Sequence, residues 1–484
     1  MSKTATDDVF DLDFEPMRDA VQQGLKAWNA TTCPVDEMFN RLLLVQQKQL
    51  ELEQRGIVVL PRLAINEMLL DSVALLKDQN ELLGIILEQR SFEKATIRMV
   101  ANKINLSVDQ TNRRQADAIS QLTELIIQQE KQLREASVKD AEATLPPSEY
   151  TQLFGLTDAM DALTNRLLEW DDLWLAAIVG IGGIGKTALA DAVVRRLIRR
   201  LRFAHYAWIR VDPTLSLRDG GAEGRSFDNF VNQLHRALFP DAQGGLLPQT
   251  KRKQVRNRLK ESSHLIVVDN LENSAETGTL IAHLSDWANP SKFLLTTRTQ
   301  PGGQVGIHLQ LLSELSVRDS ADLLRYHARE IGLTDLAAAT DDELQTITMH
   351  TGGNPLAIKL VVNLVRVMPL PEILAGLLDV NHDDIANLYR RIYRQTWFTL
   401  SEAARLLLQA MPLIGQEGGT VAQLQAISGL SEDVIWMAIS ELVRRSLLET
   451  RGTIWERRYG IHRLTESFLN NDINGWDDDE DDLF

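Results

Sequence analysis

Residues 173–194 read LWLAAIVGIGGIGKTALADAVV, and the reading of this stretch decides the fold. The apolar run from Leu173 to Val179 has the unbroken hydrophobicity of a buried strand. From Ala188 to Val194 the apolar residues take helical spacing. Between them lies Gly180-Ile181-Gly182-Gly183-Ile184-Gly185-Lys186-Thr187, a phosphate-binding loop in its required strand–loop–helix context. Gly180, Gly182, Gly183 and Gly185 let successive backbone N–H groups, with that of Ile184, turn around phosphate oxygens, where a Cβ would obstruct. The helix that follows adds its unpaired N–H groups, Ala188 among them, and the positive end of its dipole. Lys186 is placed to reach the β- and γ-phosphates, and the Thr187 hydroxyl to ligate Mg²⁺.

Outward from this loop, the 484 residues allow roughly three domains. A composition of 44% hydrophobic and 24% charged residues is that of an ordinary globular chain, able to bury several cores. The net charge of −16 opposes indiscriminate binding to nucleic acid or anionic membrane while leaving room for a local binding face. Cys33, the single cysteine, has no partner for an internal disulfide, which fits a reducing compartment. No signal peptide is visible in MSKTATDDVFDLDFEP, and no stretch approaches the roughly 18 apolar residues of a membrane helix. The expectation is a soluble, cytoplasmic protein with no membrane partner. The acidic end, residues 471–484, reads either as a solvated tail or as a docking peptide anchored by Trp476 and Phe484.

Upstream, residues 1–135 read as an all-helical domain, with Gly24, Gly56 and Gly84 its only glycines. Within it, residues 92–119 have helix-turn-helix spacing. Ala101 permits close packing, Asn105 suits a left-handed turn, and Ser107 can cap the next helix. That helix carries Gln110, Asn112, Arg113 and Arg114, side chains able to read base edges and phosphates. Two readings stay open here: DNA contact, or an effector or adaptor domain using the same geometry. Residues 136–149, with Pro146-Pro147, read as a linker.

Downstream, Phe203 to Val211 reads as a strand. Ser263 to Asp269 is an apolar strand ending in an acid, which would emerge beside the phosphates and orient Mg²⁺. Phe293 to Arg298 is another strand, with Arg298 aimed at a γ-phosphate. Leu311 to Glu330, Asp341 to Met349 and Asp384 to Met411 read as helices. Pro355 opens a further helix at an allowed early position. Val421 to Leu448 reads as helix-turn-helix, followed by a wing hairpin from Thr453 to Ile461. The fold class is therefore an α/β P-loop NTPase domain with a parallel sheet, an all-α domain before it, and helical and winged-helix domains after it. The expected bounds are 1–135, the linker 136–149, the nucleotide domain 150–305, a helical domain 306–383, a winged helix 384–470 and the tail 471–484.

The ordered set Phe154-Gly155, GIGGIGKT at 180–187, FAHYAWIRV, LIVVDN at 265–270, LLTTR at 294–298, GGNPLA at 352–357 and Gly460-Ile461-His462-Arg463-Leu464 resembles the NB-ARC module of STAND signal-transduction ATPases. The resemblance spans about residues 150 to 470. It implies that ATP or ADP binds with Mg²⁺ on Thr187 and Asp269. Lys186, Asp269 and Arg298 would act on the phosphates, Pro355 would pack on adenine, and His462 would contact the β-phosphate of ADP. It further implies a slow ATPase acting as a switch, self-association on activation, an unidentified protein partner, and a setting in bacterial signalling or defence. The rival reading is a DNA-binding regulator whose oligomerisation the ATPase module controls. Three positions depart from the family pattern. Asn270 stands where a second acid is usual, Leu156 where an Arg is common, and Arg463 where an Asp follows the histidine.

Overall fold

The computed structural model describes residues 12–28, 37–57, 60–169, 173–211, 223–240, 242, 245–271, 274–298, 301, 306–377, 393–394, 396–398, 400–414, 418–444, 447–453, 455–461, 465–466 and 469. His462, Arg463 and the acidic tail lie outside them, as does most of 384–401. The chain forms two compact units, Met1–Glu142 and Ala143–Phe484.

The regular elements among the described residues of the first unit are all helical: Phe14–Lys26, Glu37–Asn40, Leu43–Gln54, Pro61–Gln79, Glu81–Leu87, a π turn Glu88–Phe92, Ile97–Lys103 and Val108–Ala143. Its core collects Met17, Phe39, Ile65, Leu69, Ile86 and Leu122, all essentially inaccessible to water. Each such side chain stabilises by roughly 1.5–3 kcal/mol through burial. Gly84 permits the tight join between two of these helices, since a Cβ there would lie 2.3 Å from Lys77 Cβ. Glu130, fully buried on the last helix, accepts hydrogen bonds from the backbone N–H groups of Leu43 (2.9 Å) and Leu44 (3.0 Å). It thereby caps a helix whose own N-cap, Leu42, has no capping side chain. Arg134 pairs with Glu130 and donates to the Arg41 carbonyl, closing the arrangement.

The turn before the long helix has the local geometry its residues imply. Asn105 is left-handed (φ 54), Ala101 is buried, and the Ser107 and Gln110 side chains each bond the other's backbone N–H. The helix then runs on to Ala143, which corrects the 136–149 linker: irregular chain begins only after that residue. Its residues 135–143, EASVKDAEA, are largely good helix formers, and the break waits for Pro146-Pro147.

The second unit is built on a five-stranded sheet ordered β2-β3-β4-β1-β5. The strands are β1 (Leu175–Val179), β2 (His205–Arg210), β3 (His264–Leu271), β4 (Lys292–Thr297) and β5 (Ile307–Leu311), every pairing parallel. Parallel neighbours need crossover connections, and the helices Lys186–Arg199, Glu223–Leu238, Pro248–Glu261 and Ser274–Trp287 lie in those intervals. One face packs Ala177, Ile209, Ile266, Phe293 and Leu295 against Phe230, Leu234 and Ile281. β1, β3 and β4 are buried almost throughout, which explains their uninterrupted apolar sequences. β5 is an edge strand with Leu309 and Leu311 exposed. It corrects two expectations: the sheet extends past residue 305, and 311–316 is not helical. The helix begins at Val317, where Ser316 Oγ accepts from the Asp319 N–H at 3.1 Å.

Helices Val317–Glu330, Asp341–Thr351 and Pro355–Leu364 share one continuous core with Glu402–Ala410, Val421–Ser428 and Glu432–Arg444. An antiparallel hairpin follows, β6 (Glu449–Gly452) with β7 (Arg457–Gly460), and Gly419 bridges to Tyr459.

Candidate functional site

All sheet strands run the same way, so their carboxyl ends meet on one edge. Such an edge is where open α/β sheets bind ligands. Val179 lies beside Thr297, and Arg210 beside Asp269. The loop 180–187 therefore opens next to the ends of β4, β3 and β2.

The loop is shaped to leave its backbone accessible. Gly185 (φ 104) caps the helix Lys186–Arg199 from a left-handed conformation that other residues rarely adopt. A Cβ on Gly180 would press on Ile184 Cγ2 at 3.0 Å and the Leu312 carbonyl at 3.1 Å. Lys186 Nζ donates to the carbonyls of Gly180 and Ile181, both at 2.8 Å, and so folds back along the loop it serves.

Asp269 is the other centre. It is buried, and its Oδ1 accepts from Thr187 Oγ1 (3.0 Å) and Thr296 Oγ1 (2.6 Å). Its Oδ2 faces Arg210 Nε at 3.4 Å. The two residues expected to hold Mg²⁺ are thus in direct contact. The neighbouring Asn270 takes φ 77 at a break in the β3–β4 register, a conformation asparagine tolerates. Its N–H bonds Thr296 Oγ1 (2.8 Å) and its side-chain amide bonds the Val211 carbonyl (3.3 Å). It stitches β3 to its neighbours, and an amide cannot accept a proton from an attacking water.

These groups line one cavity of about 500 Å³. Gly182 to Ala188, Arg210, Asn270 and Thr296 to Arg298 supply its polar lining. Phe154, Leu156, Leu323, Pro355 and Leu356 supply apolar lining, and Val443, Leu448 and Thr450 complete the wall. Of the residues singled out in sequence, Ile184, Lys186, Thr187, Ala188, Arg298 and Pro355 all line this cavity. Asp269 stands directly behind it through Thr187. His462 lies outside the described residues.

Sequence reasoning missed four residues here. Asn354 caps the helix Pro355–Leu364 through the N–H groups of Leu356 and Ala357, while its amide donates to the Gly182 carbonyl at 3.0 Å. It ties that helix directly to the phosphate loop. Thr296 and Arg210 flank Asp269, as described. Trp208 lines the cavity, and its buried Nε1–H has no hydrogen-bond partner among the described residues. Strand alternation carries a signal for the last two: Ala207 and Ile209 enter the core, which leaves Trp208 and Arg210 on the other side. Beside the cavity, Tyr150 donates to Asp191 (2.9 Å), which also pairs with Arg195. Burial, then the Asp191 charge, raises the Tyr150 pKa, so the phenol stays a donor.

Residues 156–301 match the family model for the NB-ARC domain. The chain contains an NB-ARC domain. Among curated proteins, a probable disease resistance RPP8-like protein of Arabidopsis thaliana is 25% identical over 291 residues, 54% of this chain and 30% of that protein. An uncharacterized WD repeat-containing protein of Nostoc is 22% identical over 321 residues, 61% of this chain and 25% of its own length. The chain therefore aligns with about a third or less of these relatives. A solved STAND protein with a tetratricopeptide repeat sensor, from Pyrococcus horikoshii, is similar at 18% identity, with a TM-score of 0.45 and coverage of 67% of this chain and 43% of that one.

The NB-ARC domain is a P-loop NTPase fold, and its family binds nucleotide, typically with Mg²⁺. The cavity fits that group. It has a glycine-rich loop in its wall, a donor at Trp208 unpartnered among the described residues, a hydroxyl–carboxylate pair suited to a hard cation, and apolar lining for a base. Among the described residues no helix is long and apolar enough to cross a membrane.

Proposed function

We propose that the protein is an ATP/ADP-dependent switch of the STAND type. One observation carries the reading: the cavity wall is drawn from three successive parts of the chain. The P-loop and strand ends form one side. Leu315, Leu323, Pro355 and Lys359 come from the helical segment, and Val443, Leu448 and Thr450 from the segment leading into the hairpin. A nucleotide bound there touches all three, so a change at its phosphates alters the free energy of their packing.

In this reading Gly180 to Ala188 wrap the phosphates, and Lys186 leaves its own loop carbonyls for the β- and γ-phosphates. Thr187 and Asp269 hold Mg²⁺, which when bound would neutralise phosphate charge. Arg298 meets the γ-phosphate. Pro355 and Phe154 take the base, and His462 latches the diphosphate state. Hydrolysis is slow, because Asn270 supplies no base. The domains are 1–142, 150–311, 312–383 and 384–470, the last a winged helix. Opening would expose a self-association surface and gather the N-terminal units to engage a protein partner. The setting is signalling, and the disease-resistance relatives favour defence.

The test is the nucleotide released when the purified protein is denatured, read by chromatography. ADP near one equivalent supports the latched state, and an empty site counts against it. Phosphate release should be slow and should vanish in Lys186→Ala.

A second reading has an observation of its own, the left-handed Asn105 turn that sets exposed Arg113 and Arg114 on the following helix. Those arginines would contact DNA phosphates. A gel shift with the full chain at about 50 mM salt tests this. Binding lost on replacing both arginines by alanine would favour the regulator, and no shift at all would sink it.

A further inference from the structure

β2 presents two donors to the cavity, and among the described residues one of them, Arg210, has a polar partner. Ala207 and Ile209 pack into the sheet core, while Trp208 and Arg210 line the cavity. Arg210 is about one-third exposed, and Asp269, almost fully buried, is its one polar partner among the described residues, at 3.4 Å through Nε. A guanidinium carries five N–H donors in a rigid fork. The Arg210–Asp269 contact uses the Nε–H and leaves the four Nη hydrogens for an anion. Register fixes the place of Arg210 at the sheet edge. Arg210 pairs with Asp269 across β2 and β3, so it stands two strands from β4, where Arg298 ends its strand. The phosphate end thus has Lys186 at the loop and cations on both sides of Asp269.

We propose that Arg210 is a phosphate-positioning residue that makes the site discriminate nucleoside triphosphate from diphosphate. The inference rests on the reading of this cavity as the nucleotide site. Arg210 holds one oxygen of Asp269 while Thr187 and Thr296 hold the other. A γ-phosphate, which only the triphosphate has, would accept from the Nη hydrogens while the Nε–H stays on Asp269. The added cation also supplies charge that Mg²⁺ otherwise provides, so triphosphate binding survives metal removal better than diphosphate chemistry alone would allow.

The experiment titrates the full chain with a fluorescent non-hydrolysable ATP analogue and with fluorescent ADP, each with Mg²⁺ and with EDTA. Wild type is compared with Arg210→Met, Arg210→Lys and Lys186→Ala. Arg210→Met should weaken the triphosphate about tenfold and the diphosphate far less, as expected for loss of a charge-assisted bidentate contact. The gap should widen in EDTA, and Arg210→Lys should recover part of it. Equal weakening of both nucleotides would show a merely structural role through Asp269, and no change would show none; either overturns the proposal. Lys186→Ala keeps the two readings apart. If it binds like wild type the cavity is not the nucleotide site, whereas if it fails to bind and Arg210→Met shows no discrimination, only the Arg210 assignment falls.

Discussion

Glu130 and Asp269 are both carboxylates that the fold hides from water, one in each unit, and both accept several hydrogen bonds. They differ in what donates to them. Glu130 is held by two backbone N–H groups at a helix start and by Arg134. Those backbone donors cannot leave without unwinding the helix. Asp269 is held by two hydroxyls and an arginine, each of which turns about a side-chain bond and borders an open cavity. Burial therefore does not separate structure from function here. The freedom of the donors does: one carboxylate is committed to the fold, and the other can exchange partners for a cation.

The strongest way to break this contrast is Glu130→Ala. It leaves two helix-end N–H groups and a half-buried arginine without their acceptor, and should cost about 3–5 kcal/mol of stability. Chemical denaturation of the full chain should show an early transition, and nucleotide affinity of the remaining folded fraction should be unchanged. Lys186→Ala should do the reverse. Nucleotide binding should fall by about a hundredfold, the loss of a charge-assisted phosphate contact, with the melting temperature of the nucleotide-free protein nearly constant. Calorimetric titration and thermal melts check both halves.

Asn354→Ala lies between the two cases, because that side chain both caps a helix and grips the Gly182 carbonyl. It should cost about 1–2 kcal/mol in stability and weaken nucleotide severalfold, a mixed effect that neither carboxylate gives. Protons supply the mildest probe. Burial pushes the pKa of His264 down to about 4, with His205 and Arg258 adding to the effect. Burial likewise lowers His327 to about 4. Both stay neutral in the folded chain while the unfolded chain takes up protons below its ordinary histidine value. Stability is therefore complete above about pH 7 and declines as pH falls toward 4, by roughly 0.5–1 kcal/mol per histidine between pH 7 and pH 6. Melting temperature against pH should show the decline, and His264→Gln should shrink it.

What the sequence discloses follows the same division. The phosphate loop, Asp269, Arg298 and Pro355 were legible because local spacing sets them: a glycine pattern, an acid or a base at a strand end, a proline at a helix start. Arg210, Thr296 and Asn354 were not, because their roles depend on register and on packing between distant segments. Arg210 meets Asp269 across 59 residues and Asn354 meets Gly182 across 172. Nothing in the neighbours of Glu130 signals the helix start it caps 86 residues away. β5 escaped notice because a five-residue edge strand buries too little to write a pattern. The helix runs on to Ala143 because helix propensity stays high where polar composition suggests a linker.

The central claim is that ligand exchange belongs to the Asp269 edge and not to the Glu130 cap. Amide hydrogen exchange of the full chain, with and without saturating Mg·ATP, tests it most directly. The account predicts slowed exchange at Gly182 to Ala188 and at Asn270, with Leu43 and Leu44 unchanged. Equal exchange at Gly182 to Ala188 in both conditions would contradict it.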